Sequence, residues 1–309
     1  MRLTFRQLQI FVAVAQLGST VAAAQAIALS QSAASGAINE LERMLSTRLF
    51  DRIGKKLVLN EHGRALLPQA LALIDGAEGL ERQYEDNSRY ALAGAASLRL
   101  AASTTIGNYV LPGLLASYGD MLAAGTQHKR SDILAKSRVI IANTGAVALS
   151  VSRFEVDAGF IEGPSSLPDV LATPWLADEL LIVAAPTHLA VIKRGARVTP
   201  LNVLRESRWL LREEGSGTRD AVESALVPHL HQLRIGMELG DSEAIKRATA
   251  EGLGITCLSR WVVADFLESG RLVEVKTSWP KMQRRFYLLV HADKQIAPGL
   301  KRFLDHCLT

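Results

Sequence analysis

The stretch 18-GSTVAAAQAIALSQSAASGAINELERML-45 decides how the rest of the chain is read. Most of it is small residues, and only its end is ordinary amphipathic helix. Upstream, Phe5, Leu8, Phe11, Val12 and Ala15 recur at helical spacing and predict a first helix over 4–17. Gly18 stops it, and Ser19 caps a second helix over 20–28 with Ala23, Ala24 and Ile27 facing inward. Ser30 caps a third, with Ala34, Ile38, Leu41 and Leu45 inward. Two helices crossing steeply over a short turn need small side chains where their backbones approach, which accounts for the alanines. The third helix leaves Gln31, Ser32, Ser35 and Gly36 on its outer N-terminal side, where short polar side chains can reach base edges in a major groove. This is a helix-turn-helix arrangement. An alanine-rich helical hairpin without a nucleic-acid partner is the alternative that this stretch alone leaves open.

The following residues extend the pattern. Gly54 marks a tight turn before a short strand over 57–59, and Arg52, Lys55 and Lys56 cluster at its tip. A basic hairpin behind a helix-turn-helix is a wing, whose cations neutralise phosphates without reading sequence. Charge distribution agrees. The chain carries a net +4, and its first 64 residues hold eight Arg or Lys against four acids, so the whole excess sits there. A solvated basic surface would give the same count. With 309 residues and 48% hydrophobic content, the chain is long enough for two or three domains with sizeable cores. No apolar run is long enough to span a bilayer, and the opening residues lack a signal-peptide pattern, so the expectation is a cytoplasmic protein. Cys257 and Cys307 have no CxxC spacing and read as buried thiols.

The order of "FRQLQIFVAVAQLGS", "LSQSAASGAINELE", "LSTRLFDR" and "LNEHGRALLP" resembles the N-terminal domain of the LysR-type transcriptional regulators. The resemblance implies double-stranded DNA as partner, met by Gln31, Ser32, Ser35, Arg52, Lys55 and Lys56. Gly36 departs from it, because members of the family commonly carry a basic or bulky side chain there.

Beyond the wing, Leu66, Ala70, Leu73, Ala77, Leu80 and Tyr84 alternate by four and three residues, the spacing of a coiled-coil seam. Such a helix predicts a homodimer that presents two reading heads to two half-sites. A helix packed on its own chain is the alternative. The polar and small residues of 85–89 and 93–96 then form a hinge. The expected layout is a winged helix-turn-helix over 1–62, a linker helix over 63–90 and an effector-binding domain over 91–309.

From residue 97 short apolar runs alternate with amphipathic helices, which predicts an α/β body with mainly parallel sheets. The runs are 98–102, 139–142, 158–161, 180–184, 209–211, 234–239, 254–258 and 286–290. Ligands of such bodies bind at the carboxyl ends of strands. Two strand ends carry suitable chemistry: Ser103-Thr104-Thr105 before a helix, and the glycine-rich 211-LREEGSGTR-219. A capped helix start explains either one without a ligand. "ASTTIGNYVLPGLLA", "DAGFIEGP", "LREEGSGTR" and "AEGLGITCLS" resemble the effector-binding domain of the same family, which is similar to two-lobed periplasmic binding proteins. The resemblance implies a small-molecule effector, an anion, bordered by Ser103, Thr104, Thr105, Thr144, Glu162, Gly163 and Thr218, and no cofactor. It also implies lobe one over 97–163 and 268–309, lobe two over 164–267, assembly to a homotetramer, and RNA polymerase as a candidate partner.

One region departs from the family. Residues 118–136 hold no proline and run longer than expected, either as an insertion or as an altered stretch of frame. No catalytic set emerges. The seven histidines are scattered, His229-x-His231 has no cysteine nearby, and the adjacent Glu213 and Glu214 point apart on an extended strand end. A solute-binding protein or enzyme on the same α/β body, with a helical appendage that does not bind DNA, is the competing reading.

Overall fold

The computed structural model describes residues 3–54, 56–84, 98–125, 127, 129–135, 137–188, 191 and 198–309, and within the helix that ends at 84 it describes side chains only as far as 74 and that of Ala77. Lys55, the 85–96 hinge, and the side chains of Leu80 and Tyr84 therefore lie outside the described residues. The chain forms two compact units, one built on residues up to 97 and one on most of 98–309.

The first unit contains α1 (Phe5–Leu17), α2 (Thr20–Ala26), α3 (Gln31–Met44), β1 (Phe50–Ile53), β2 (Lys56–Leu59) and α4 (Glu61–Tyr84). Thr4 caps α1 in a capping box with Gln7, and Gly18 ends it at φ 65°. The Ser19 side chain accepts from the amides of Val21 and Ala22, and that of Ser30 accepts from Ala33. The axes of α2 and α3 differ by 111°, the steep crossing that the small residues permit. Leu8, Phe11, Val14, Ala23, Ala24, Ala34, Ile38 and Leu41 fill the core. Each fully buried large apolar side chain contributes about 1.5–3 kcal/mol.

Three local expectations fail. Phe5 is half exposed, because it is the first helical residue and precedes the buried stripe. Leu45 is 41% exposed, because α3 stops at Met44 and the chain turns away at Ser46 with φ 52°. The second helix ends at Ala26, since Ala28 takes φ 53°.

The hairpin of β1 and β2 pairs Arg52 with Leu57 and Ile53 with Lys56, and the amide of Leu57 bonds the Gly18 carbonyl at 2.9 Å. Gly63 fastens α4 to this root: a Cβ there would lie 2.1 Å from the Leu49 carbonyl oxygen. The first half of α4 is not an unclaimed seam. Leu67, Ala70 and Leu71 are buried in the head's own core, with Leu66 and Ile74 packed against it, so only Leu73 of the described upper seam is substantially exposed.

The second unit runs β3 (Arg99–Ser103), α5 (Thr104–Tyr109), α6 (Leu111–Ala123), α7 (Arg130–Leu134), β4 (Arg138–Ala142), α8 (Thr144–Ser152), β5 (Ala158–Glu162), β6 (Val170–Ala184), α9 (Leu201–Glu206), β7 (Trp209–Arg212), α10 (Gly217–Leu230), β8 (Ile235–Leu239), α11 (Ser242–Ala250), β9 (Ile255–Ser259), α12 (Arg260–Glu268), β10 (Val273–Glu274) and β11 (Met282–His291). A last helix, α13, covers Pro298–Leu308. The sheet order is β4-β3-β5-β11-β6-β9-β7-β8, with β10 on β6. The flanks β4-β3-β5 and β9-β7-β8 are parallel, as the strand–helix alternation predicts. The centre is not: β6 and β11 run antiparallel to each other and to their neighbours, so the mainly parallel expectation holds for the flanks alone.

These two long strands are also where the lobes join. The start of β6 pairs with the end of β11, the register shifts between Arg285 and Tyr287, and the end of β6 pairs with β9. A bulge at this point bends the strands from one lobe to the other. The strand pairing changes register between Ala177 and Pro174 on β6 and between Arg285 and Tyr287 on β11, whereas the family resemblance implied lobe divisions at 163 and 268. Of the unusual 118–136 stretch, the described residues include the end of α6 and the short helix α7. Tyr118 is fully buried with its ring 5.1 Å from that of Phe303, and Leu122 and Ile133 are buried beside it.

Candidate DNA and effector sites

On the head, Gln31 and Ser32 are exposed and Ser35 is half buried on the first turns of α3. The Ser32 hydroxyl lies 3.0 Å from that of Ser30, so the cap and the outer face share one polar edge. Gly36 is exposed, and a Cβ there would meet nothing within 4 Å. Its lack of a side chain is thus not a packing requirement. Arg52 and Lys56 are exposed on the wing. The register places Arg52 on the face of Leu57 and Lys56 on the face of Ile53, so the two cations flank the ribbon on opposite sides.

In the second unit, the residues singled out from sequence converge where the lobes meet. Ser103 ends β3 and Thr105 is the second residue of α5, both fully buried. Glu162 ends β5 in the same lobe, and Thr218 starts α10 in the other. The Thr218 hydroxyl donates to Glu162 Oε2 at 2.8 Å. Thr144 accepts from the Gly217 amide at 3.1 Å, the Gly145 amide donates to the Gly215 carbonyl at 3.2 Å, and Arg212 Nη1 donates to Thr104 Oγ1 at 2.6 Å. Every one of these bonds crosses from one lobe to the other. Gly217 permits the approach, since a Cβ there would lie 2.1 Å from the Glu162 carbonyl oxygen and 2.7 Å from Thr144 Oγ1. Gly163, at φ 102°, borders a cleft of about 560 Å³ together with Thr144, Glu162, Gly217, Arg284 and Tyr287.

Sequence reading missed the cation at the centre. Arg284 lies at the crossover of β11, and its side chain is 6% exposed. Its Nε donates to Asp178 Oδ2 at 2.7 Å, its Nη1 donates to Thr218 Oγ1 at 3.0 Å and lies 3.5 Å from Glu162 Oε2, and Asp178 accepts from Ser259 at 2.7 Å. Burial pushes the Glu162 carboxyl up, but the Arg284 charge, the nearby hydroxyls of Thr105 and Thr218, and Arg212 outweigh it, so its pKa falls below the ordinary value. Arg212 is itself buried and clasps Glu213 through two bonds of 2.7 and 2.8 Å, while Glu214 points to solvent. A second lobe-to-lobe contact was also missed: the Tyr109 hydroxyl donates to Glu243, which bonds buried Lys246 at 2.8 Å. The signal for Arg284 and Asp178 was weak, a charged residue at an inward position of a strand.

Four buried polar atoms of this cluster make no hydrogen bond among the described residues: Ser103 Oγ, Thr105 Oγ1, Glu162 Oε1 and Arg284 Nη2. Thr105 lies near enough to Glu162 to favour its charge without reaching hydrogen-bond geometry. Burial pushes both thiols, Cys257 and Cys307, up to about 12, so neither has thiolate character.

A winged helix-turn-helix head joined to a two-lobed α/β body with a polar interlobe cluster defines a DNA-binding regulator with a ligand-binding domain. The chain belongs to the LysR family of transcriptional regulators. Residues 5–64 match the bacterial regulatory helix-turn-helix protein, lysR family, and residues 93–309 match the LysR substrate binding domain. The chain is 43% identical to the HTH-type transcriptional regulator YeiE of Escherichia coli (strain K12), over 99% of this chain and 98% of that protein. Full-length OxyR from Pseudomonas aeruginosa has the same fold, with a TM-score of 0.68 and 22% identity over 99% of this chain and 95% of that one. The CcmR regulatory domain of Synechocystis PCC6803, solved in complex with 2-PG, matches at TM-score 0.58 and 28% identity, over 68% of this chain and 95% of that one. No single described helix is long and apolar enough to cross a membrane.

Proposed function

We propose that this regulator acts in the cytoplasm as a homo-oligomer whose DNA geometry is switched by a small anionic effector bound between its lobes. The observation that carries the proposal is the group of four buried, unpartnered polar atoms at the lobe junction. Native folds leave such atoms where something else completes them, and the relative CcmR holds a small molecule in the matching domain. A ligand there exchanges lobe-to-lobe bonds for its own, and so favours one lobe geometry over another. It switches the protein only by the difference in its affinity for the two.

At the operator, Gln31, Ser32 and Ser35 face bases, and Arg52, Lys55 and Lys56 neutralise phosphates. The α4 helix pairs two heads through its exposed side, beginning at Leu73. The edge strands β4 and β8 expose Val139, Ile140, Ile141, Ile235 and Met237 on opposite lobes, apolar edges that fit pairing with a second copy into a tetramer. RNA polymerase is the further partner such an assembly would engage. The reading needs no cofactor and no catalytic step, since the carboxylate pair at 213–214 is split between Arg212 and solvent.

The test is a salt-dependent titration of the full-length protein against the DNA upstream of its own gene. Binding above a random-sequence control, with affinity falling steeply as salt rises, is the expected result. A chain lacking residues 1–90 that binds the same DNA equally well would overturn it.

A further inference from the structure

The helix α3 carries two residues whose cost its own fold does not repay. Glycine is among the poorest residues for a helix interior, and asparagine is disfavoured there because its amide competes with the backbone. Gly36 is exposed, and a Cβ added to it would meet nothing within 4 Å, so no packing demands the glycine. Asn39 is exposed as well, and its amide makes no hydrogen bond among the described residues. The other polar side chains of the same stretch are committed. Arg43 clasps Glu40 through bonds of 2.6 and 2.9 Å, and Glu42 accepts from the Leu49 amide at 2.8 Å.

Both residues lie on one face. The helix buries Ala34, Ile38 and Leu41. At about 100° per residue, Ser32, Gly36 and Asn39 fall on the opposite side, with Ser35 at its margin. Their spacing, i, i+3, i+4 and i+7, is one by which a recognition helix reads successive bases. Helical side chains lean toward the N-terminus, so Asn39 projects over the turn of Ser35 and Gly36. A side chain at residue 36 would stand between that amide and the floor of a groove. Its absence lets the helix seat closer and leaves the amide uncovered.

The chemistry of the amide selects its partner. A hydroxyl such as that of Ser32 bonds donors and acceptors alike, whereas a carboxamide offers an acceptor and a donor side by side. That pattern matches adenine in the major groove, whose N7 accepts and whose N6 donates.

We propose that Asn39 is a specificity-determining residue of the DNA interface, and that its amide reads an adenine of the operator through the gap left at Gly36. The proposal rests on the reading of α3 as the helix that meets bases, and adds to Gln31, Ser32 and Ser35 the residue that fixes one base.

The experiment selects duplexes from a random library with the full-length protein and with its Asn39→Ala variant. Affinity is then measured for the sequence the wild type prefers, with each adenine in turn replaced by 7-deazaadenine, which keeps base pairing and loses the N7 acceptor. The proposal expects one adenine per half-site at which the replacement weakens wild-type binding by about tenfold. At that position the variant should be insensitive to the replacement and should accept other bases. Its affinity for random DNA and its salt slope should match the wild type, which separates base reading from a phosphate contact. Gly36→Leu, which fills the gap, should remove the same sensitivity with Asn39 intact.

Equal sensitivity of wild type and Asn39→Ala at every adenine would overturn the proposal, as would a variant that selects the wild-type sequence unchanged. A wild type that enriches no sequence from the library would overturn the reading of the head itself, and this inference with it.

Discussion

Two glycines, Gly36 and Gly217, sit near the starts of helices at the two candidate sites, and the same added methyl would do opposite things to them. At Gly36 it would enter open space on the outer face of α3. At Gly217 it would lie 2.1 Å from the carbonyl oxygen of Glu162 in the facing lobe. The difference separates the two halves of the protein. The head presents side chains that nothing in its own fold constrains, and waits for an external partner. The body has already paired most of its polar groups with each other across the lobe junction and leaves four buried atoms without a hydrogen bond among the described residues, so a ligand there meets a junction that is already largely assembled.

The sharpest way to break this comparison is at the charge that holds the junction. Arg284→Ala leaves Glu162 and Asp178 buried without their shared cation. Removing one partner of a buried pair costs about 3–5 kcal/mol, so urea unfolding of the full-length protein should show the effector-domain transition at distinctly lower urea, with the head's transition unmoved. A shift of less than about 1 kcal/mol would mean the cluster is solvated.

Next comes Gly217→Ala, which should cost about 1–3 kcal/mol as an overpacked contact. The lobes should part to relieve it, which small-angle scattering would register as a larger effector domain. Gly36→Ala tests the other side. An exposed glycine inside a helix costs about 1 kcal/mol relative to alanine, so this variant should be the more stable one in thermal melts of the head. Destabilisation would mean that Gly36 is fixed by packing after all.

The smallest effect belongs to the wing. Lys56→Ala should lower affinity for operator and random DNA alike and flatten the log–log salt slope by about 0.9, the share of one phosphate contact. An unchanged slope would remove Lys56 from the DNA surface.

The same contrast governs what could be read from sequence. The head was legible because its information is local. Caps at Thr4, Ser19 and Ser30, the stop at Gly18 and the alanines of the α2–α3 crossing each act within a few residues. Where the local pattern ran out, at Leu45 and Ala28, the chain had already turned. The strands of the body's flanks were legible for the same reason. The long central strands were not. Pro174, Asp178 and Glu179 interrupt the apolar run of β6, and Gln283, Arg284 and Arg285 open β11 like a solvated edge.

Those interruptions are the lobe crossover, where polar side chains serve the junction rather than a core. The bond between Thr218 and Glu162 spans 56 residues of sequence, and neither residue signals the other. Residues of the predicted site could be placed at strand ends, but the cation that organises them could not. The linker helix was misjudged in one respect: a four-and-three repeat is satisfied equally by a partner helix and by the head's own core, and its first half takes the core.

The central claim is that lobe contact and DNA geometry are coupled. It is tested most directly by footprinting and bend-angle measurement of the full-length protein and its Gly217→Ala variant on one operator, with no ligand added. The account predicts a changed footprint length or bend for the variant, with the salt slope of binding preserved because the head is untouched. An identical footprint and bend, in a variant whose lobes scattering finds parted, would contradict it.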